Sequence, residues 1–397
     1  MAKWSKLPLD IWTTIAESIH YYEDFTTFGK VCSVWRTAMK LAKRKKSSTH
    51  IPLLLLAEPP CTSTRRLYSL YNQQVLPVEL PKPSTTRGQA EEEDDEMQCL
   101  SLLFPPDKDE DGVGDWRYFS SRGWLICVTQ IGLNITLINP ISKQVIQPPA
   151  FPDHITGSKT SSWPWNPDSY LYMFTKFVLS ENPSTSNHYI LAMIFPCTVD
   201  LAFWKSGDNQ WTMLKKDYSH FLDITFYRGE FYAVEQYARI VALGNSSPPA
   251  TPRLVANLMF PYTFCNSSYL VESAGKLLFV LRELEDQDED TLELRCFKVW
   301  EIDVDTGEVK TVTSLGNRAL FLGHNSSFSV EACPPVSRPN CIYYTDNYDH
   351  NHLLFPETIT RCDMGVYDLS LGRKIGEFYQ GPSRLSSSTL PLWVETP

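Results

Sequence analysis

Trp124-Leu125-Ile126-Cys127-Val128 is an unbroken apolar run of strand length, and two further short runs follow it at 135–138 and 145–146. Working outward, the same unit recurs: residues 52–57 with 67–80; 170–179 with 189–195, 201–204 and 211–214; 224–227 with 231–234 and 240–242. Two more groups close the series: 269–281 with 294–302 and 309–312, and 328–330 with 341–344, 365–369 and 376–379. Turn signals such as Arg228-Gly229 and Asp305-Thr306-Gly307 separate the runs, as hairpins require. Six groups spaced by about forty to sixty residues fit a radial repeat better than a sandwich. The expectation is a mainly β chain whose body, residues 47–397, is a six- or seven-bladed β-propeller. A lone last run, Leu392-Trp393-Val394, is placed to return to the first blade and close the ring.

Composition sets the outer limits. With 43% hydrophobic and 13% aromatic residues, the chain can bury one large core and a small module, so it is not a disordered protein. Its apolar runs, such as residues 53–57, are far shorter than a membrane-spanning helix needs. The N-terminus has Asp10 and Glu17 among its apolar positions, and lacks the features of a signal or transit peptide. The ten cysteines are scattered and never form a CxxC pair, which fits buried thiols in a reducing compartment. The expected location is therefore the nucleus, the cytoplasm or both.

Charge divides the chain in two. Residues 1–50 hold nine Lys/Arg against four Asp/Glu, net +5, which leaves 27 against 42, net −15, for the rest. So acidic a body lacks the basic face that phosphate neutralisation needs, and nucleic acid is not an expected partner.

Residues 1–46 read as helical. A first helix is expected to begin at Leu7-Pro8, where proline's missing N–H costs nothing. Ile11, Ile15 and Ile19 then share one face. A second helix, N-capped by Asp24, carries Phe25, Phe28, Cys32, Trp35 and Met39 as a continuous stripe, with Lys40 and Lys43 to Lys46 toward its negative end. A module this short is expected not to bury both stripes internally, so a partner surface is needed to cover them.

The stretch Trp4-Ser5-Lys6-Leu7-Pro8-Leu9-Asp10-Ile11, followed by Ile15, Ile19, Asp24 and Val31-Cys32-Ser33-Val34-Trp35-Arg36, resembles an F-box over about the first forty residues. Asp10 stands where the family more commonly has Glu. The resemblance implies that Leu7, Pro8, Ile11, Ile15, Ile19, Val31, Cys32, Trp35 and Arg36 dock a Skp-type adaptor, and through it a cullin scaffold.

A second resemblance covers the body. Gly123-Trp124-Leu125, Leu137-Ile138-Asn139-Pro140 with Pro148-Pro149, and Gly229-Glu230-Phe231-Tyr232-Ala233-Val234 are similar to the plant propeller domain of unknown function found behind F-boxes, the DUF295 or KIB-like type. So are Tyr269-Leu270-Val271-Glu272-Ser273, the segment from Leu315 to Gly323, Asn340-Cys341-Ile342-Tyr343-Tyr344 and the terminal Leu392-Trp393-Val394. Together the two likenesses imply a non-catalytic substrate-recognition subunit of an SCF-type ubiquitin ligase, whose propeller holds a protein substrate. Such a subunit contributes effective concentration and makes or breaks no bond. A stoichiometric regulator, for example a kinase-binding inhibitor acting without ubiquitin transfer, is the alternative. An enzyme or small-ligand binder in the propeller channel is a third.

No catalytic residue set is visible: there is no G-x-S-x-G elbow, phosphate-cradling Gly-rich loop, HExxH or paired-cysteine site. No cofactor or metal is expected. Asp349-His350-Asn351-His352 lacks a third ligand and reads as a polar loop, and Glu285 to Asp290 lacks the central Gly of a calcium loop and reads as a hairpin tip. Glu91 to Glu96, within a Pro- and Thr-rich segment near 81–97, reads as an acidic linker. Lys43-Arg44-Lys45-Lys46 is readable as a nuclear import signal or a basic helix end. Trp163-Pro164-Trp165 is either a partner-binding loop or an aromatic pair buried under a blade.

Overall fold

The computed structural model describes residues 7–19, 22–45, 51–57, 64–82, 116–129, 134–150, 176–195, 200–214, 221–244, 252–260, 267–288, 291–345, 364–381 and 390–396. The acidic run at 91–96, Trp163–Trp165 and the 349–352 segment lie outside them.

The N-terminal module has three helices where two were expected: α1 (Leu9–Ser18), α2 (Tyr22–Val31) and α3 (Ser33–Lys45). Pro8 sits at the N-cap of α1, in extended geometry, so the helix starts one residue after the proline. Asp24 lies inside the first turn of α2, where its charge still favours the helix dipole. The expected single stripe breaks at Cys32: α2 ends at Val31, and the Arg36 N–H bonds to the Cys32 carbonyl to start α3.

The body is a six-bladed β-propeller. Its first blade contains β1 (Leu53–Leu55), β2 (Thr64–Ser69) and β3 (Val75–Glu79). The second follows in strict order with β4 (Trp116–Ser121), β5 (Trp124–Thr129), β6 (Ile135–Ile138) and β7 (Val145–Ile146). The third has β8 (Lys176–Leu179), β9 (Ile190–Phe195), β10 (Asp200–Lys205) and β11 (Thr212–Leu214). In the fourth are β12 (Phe221–Tyr227), β13 (Glu230–Glu235), β14 (Arg239–Gly244) and β15 (Arg253–Asn257). The fifth comprises β16 (Ser267–Ser273), β17 (Lys276–Asp288), β18 (Thr291–Ile302) and β19 (Val309–Thr311). The sixth departs from the pattern: β20 (Arg318–Leu322) pairs antiparallel with β21 (Phe328–Glu331) but parallel with β22 (Cys341–Tyr344), then β23 (Gly365–Asp368) and β24 (Arg373–Gly376) complete five strands. Finally β25 (Leu392–Val394) pairs with β1, Trp393 opposite Leu54, and supplies the inner strand that the first blade lacks. Ring closure by the last strand is as expected from its sequence.

Two turns repeat from blade to blade and explain why the unit recurs. Arg122-Gly123, Arg228-Gly229 and Ala274-Gly275 each join an inner strand to the second strand of its blade, with positive φ at both residues. That is the mirror-image hairpin turn whose twist matches paired strands, and glycine meets its second position without strain. The outer turns repeat a different chemistry: Asn139, Asp303 and Asp368 each accept backbone N–H bonds from residues two and three further on.

Two strands not foreseen are the solvated outer edge β15 and the polar inner strand β4, which is buried throughout. β15 is the outer edge of its blade, with Arg253, Leu254 and Asn257 exposed, and β4 is the inner strand of its blade, where polar Arg117, Ser120 and Ser121 interrupt its aromatic residues. The run assigned to 376–379 is instead β24 at 373–376, and the single run 269–281 is two strands around Ala274-Gly275. Cys127 is fully buried as expected, and burial pushes its thiol up to about 12. The core itself is divided into clusters between neighbouring blades, such as Phe119, Trp124, Phe177 and Trp204 between the second and third.

Candidate protein-docking faces

The helical module has a core of its own, drawn from both stripes, which corrects the expectation that the two could not both be buried internally. Trp12 and Ala16 from α1, Phe25 and Phe28 from α2, and Ala38 and Ala42 from α3 are buried together. The break at Cys32 makes this possible, because it folds the second half of the stripe back over the first. Trp35 stacks on Phe28 with centroids 4.5 Å apart and lies 4.2 Å from the Trp12 ring. Gly29 lets α2 and α3 approach closely: a Cβ there would run into the Met39 sulfur. Arg36 Nε donates to the Gly29 carbonyl at 3.3 Å, pinning the same corner.

The nine residues assigned to adaptor docking fall into two groups. Pro8, Ile11, Val31, Cys32 and Arg36 are exposed, whereas Leu7, Ile15, Ile19 and Trp35 are half-buried against the module core. Ile11 is 44% exposed and Val31 58%, and neighbours Leu9 and Val34, which were not in the assigned set, are exposed too. Apolar groups on a surface otherwise dotted with Asp10, Lys30 and Arg36 are the pattern of a docking face.

Tyr71, in the turn after β2, donates through its hydroxyl to Asp24 Oδ2 at 2.9 Å, so the module meets the propeller at the end of the ring that carries this turn.

The propeller axis is occupied by side chains. Lys176 on β8 pairs with Asp223 on β12 at 2.9 Å and reaches Ser327 of the sixth blade at 3.4 Å. Asp223 also accepts the Leu270 N–H at 2.7 Å, linking the fourth blade to the fifth. Burial raises the Asp223 carboxyl above its usual value, with Lys176 and two backbone N–H groups opposing the rise. The Ser326 N–H bonds to the Ser120 carbonyl, Arg117 Nη2 lies 3.4 Å from His324 Nδ1, and Asn325 Oδ1 accepts from the Trp393 N–H. These polar groups join blades to one another across the axis, which is a structural task. Among the described residues, no group of three or more His, Cys, Asp or Glu is placed to hold a metal ion. The Glu285–Asp288 segment is the end of β17 in a hairpin with β18, as expected.

Three short helices with exposed apolar residues stand at one end of a six-bladed ring. The KIB1-4 beta-propeller family profile matches residues 96–368, and the chain belongs to that family. F-box protein SKIP23 of Arabidopsis thaliana is 24% identical over 409 residues, covering 94% of this chain and 91% of its own length. A provisionally named F-box protein of the same plant is 32% identical over 208 residues, 51% of this chain and 56% of that relative. The chain is thus similar to plant F-box proteins with a propeller domain. A Bacteroides caccae protein of unknown function superposes with a TM-score of 0.39 at 11% identity, covering 86% of this chain and 99% of that one.

Proposed function

We propose that this chain is the substrate-recognition subunit of an SCF-type ubiquitin ligase, acting in the nucleus, the cytoplasm or both. The observation that carries the reading is the exposure of Ile11 and Val31 on a module whose own core is already filled by Trp12, Phe25 and Phe28. These residues, with Pro8, Leu9 and Cys32, dock the Skp-type adaptor, which bridges to a cullin scaffold. The half-buried Leu7, Ile15, Ile19 and Trp35 hold the helices in the docking geometry. The propeller binds a protein substrate and presents its lysines to the ubiquitin-loaded enzyme, a contribution made through proximity alone.

The test is capture of a purified Skp-type adaptor by the full chain and by a chain lacking residues 1–46. Equal capture by both would overturn the reading. Substrate half-life with and without the chain then separates a ligase subunit from a stoichiometric regulator.

A further inference from the structure

Between the sixth and first blades the packing leaves a cavity of about 280 Å³. One wall is β2 and the turn after it; the other comes from β22, β23, β24 and the residues just beyond β24. Tyr68, Tyr343 and Phe378 supply aromatic surface, and Val366 and Ile375 aliphatic surface. All five belong to the apolar cluster of this seam, so the cavity is a gap in a core, and exposed Gln73, Arg338 and Glu377 mark its mouth.

One residue accounts for much of the gap. Val366 pairs in register with Gly376, and residues directly opposite on paired strands point to the same face. A side chain at Gly376 would therefore enter the cavity beside Val366, and a Cβ there would meet nothing within 4 Å. Gly376 is not among the glycines with positive φ, so the backbone does not require glycine here. What glycine provides at this position is room.

The hydroxyls in the walls are already engaged, but the charge at the mouth is not. Tyr68 donates to the Phe378 carbonyl at 2.8 Å, and the Arg338 N–H donates to the Tyr343 hydroxyl at 2.9 Å. That second bond fixes the Arg338 backbone, while its guanidinium makes no ion pair or hydrogen bond among the described residues. Asp368, the carboxylate its field reaches, accepts instead from Ser370 and Leu371. Glu377 faces Lys374 at 3.9 Å. An arginine beside aromatic walls suits a carboxylate next to a ring.

Size and position narrow the occupant further. Pockets that enclose a whole small ligand run from about 300 to 1,000 Å³, so this one suits a single large side chain. β24 is the outermost strand of its blade, and an extended segment lying along it would carry such a side chain over Gly376. Resting on the reading of the propeller as the substrate-binding part, we infer that this seam docks an extended segment of the protein substrate, with one aromatic side chain in the cavity and a neighbouring carboxylate on Arg338. Leu70 and Gln73, which border the cavity, flank Tyr71, whose hydroxyl meets Asp24. The docked segment thus lies at the end of the ring that carries the helical module.

The test uses the full chain and fluorescent peptides of alternating glutamate and phenylalanine, with lysine-for-glutamate and serine-for-phenylalanine counterparts. Anisotropy is expected to show binding of the first alone, weakening as salt is added. Gly376→Leu fills the cavity and is expected to weaken binding about thirtyfold. Arg338→Glu, at an exposed position that leaves the fold intact, is expected to weaken it about tenfold, mostly at low salt. Leu254→Ser, on the outer strand of the fourth blade, is expected to change nothing. Phenylacetate, the same chemistry in a small molecule, is expected to displace the peptide only in large excess. Equal binding of the lysine peptide, no binding of the glutamate one, unchanged affinity in both cavity variants, or displacement by equimolar phenylacetate would overturn the inference. Adaptor capture is measured on the same proteins: its absence in the unaltered chain sinks the ligase reading, and its presence alongside failed peptide binding sinks only this one.

Discussion

Lys176 and Asp223 meet at 2.9 Å across the junction of the third and fourth blades, with side chains only 5% and 1% exposed. Removing one partner of such a pair leaves a buried charge uncompensated, which typically costs about 3–5 kcal/mol. Lys176→Met is therefore expected to lower stability by about that much, and Lys176→Met with Asp223→Asn by clearly less than the two single changes added together. Denaturant titration of the four proteins measures the coupling.

The same pair predicts a pH response. Burial raises the Asp223 carboxyl in the folded chain, so the native state holds its proton to higher pH than the unfolded state does. This group's contribution to stability is thus fullest below the unfolded carboxylate value and declines as pH rises through the elevated folded one. Lys176→Met removes the main charge opposing the rise and widens the window. Its thermal midpoint, relative to the unaltered chain, is expected to fall further as pH goes from mildly acidic to neutral.

Trp393 is fully buried, pairs in register with Leu54, and packs edge-on to Phe321 at 5.0 Å. It closes the ring between the sixth and first blades. Trp393→Ala is expected to cost about 3–5 kcal/mol, the usual range for truncating a large buried aromatic. Calorimetry is expected to show the whole propeller, not one blade, melting earlier. A normal midpoint would mean that β25 is dispensable for closure.

On the helical module, exposed and half-buried positions are expected to respond differently. Ile11→Ser with Val31→Ser is expected to reduce adaptor affinity by more than about tenfold, as for an interface hot spot, while leaving helix content unchanged. Trp35→Ala is expected to reduce both, because it removes the ring stacked on Phe28 and Trp12. Circular dichroism and adaptor titration on the same samples separate the outcomes. Unchanged affinity for the serine pair would place the docking face elsewhere.

Cys32 is exposed between α2 and α3, while Cys127 is fully buried with its thiol pushed up to about 12. Site-resolved alkylation of the native chain is expected to label Cys32 and spare Cys127. Bound adaptor is expected to protect Cys32. Undiminished labelling of Cys32 in the complex would remove that corner of the module from the docking face.

What was legible in the sequence follows physical period and chemistry. Strands buried on both faces, such as Trp124 to Val128 and Leu277 to Leu281, announced themselves because apolar side chains fill both sides of a blade. Edge strand β15 and inner strand β4 did not, since one is solvated and in the other polar groups interrupt the aromatic residues. In the module, a spacing of three and four running from Phe25 to Met39 is what one helix would show. A break at Cys32 leaves that spacing intact while reversing which way half of it faces.

The sequence by itself determined a helical module followed by a repeated strand unit, the closing role of Leu392-Trp393-Val394 and the apolar character of the proposed docking positions, because these depend on local period and composition. Tertiary structure alone decided which apolar residues are spent inside. Trp35 is taken up by a stack with Trp12 and Phe28, and Ile11 and Val31 are left exposed. It also brought Lys176 to Asp223, forty-seven positions away, and Arg117 to His324 across the axis. Such meetings depend on the order of blades around the ring, and no short-range pattern in the chain encodes them.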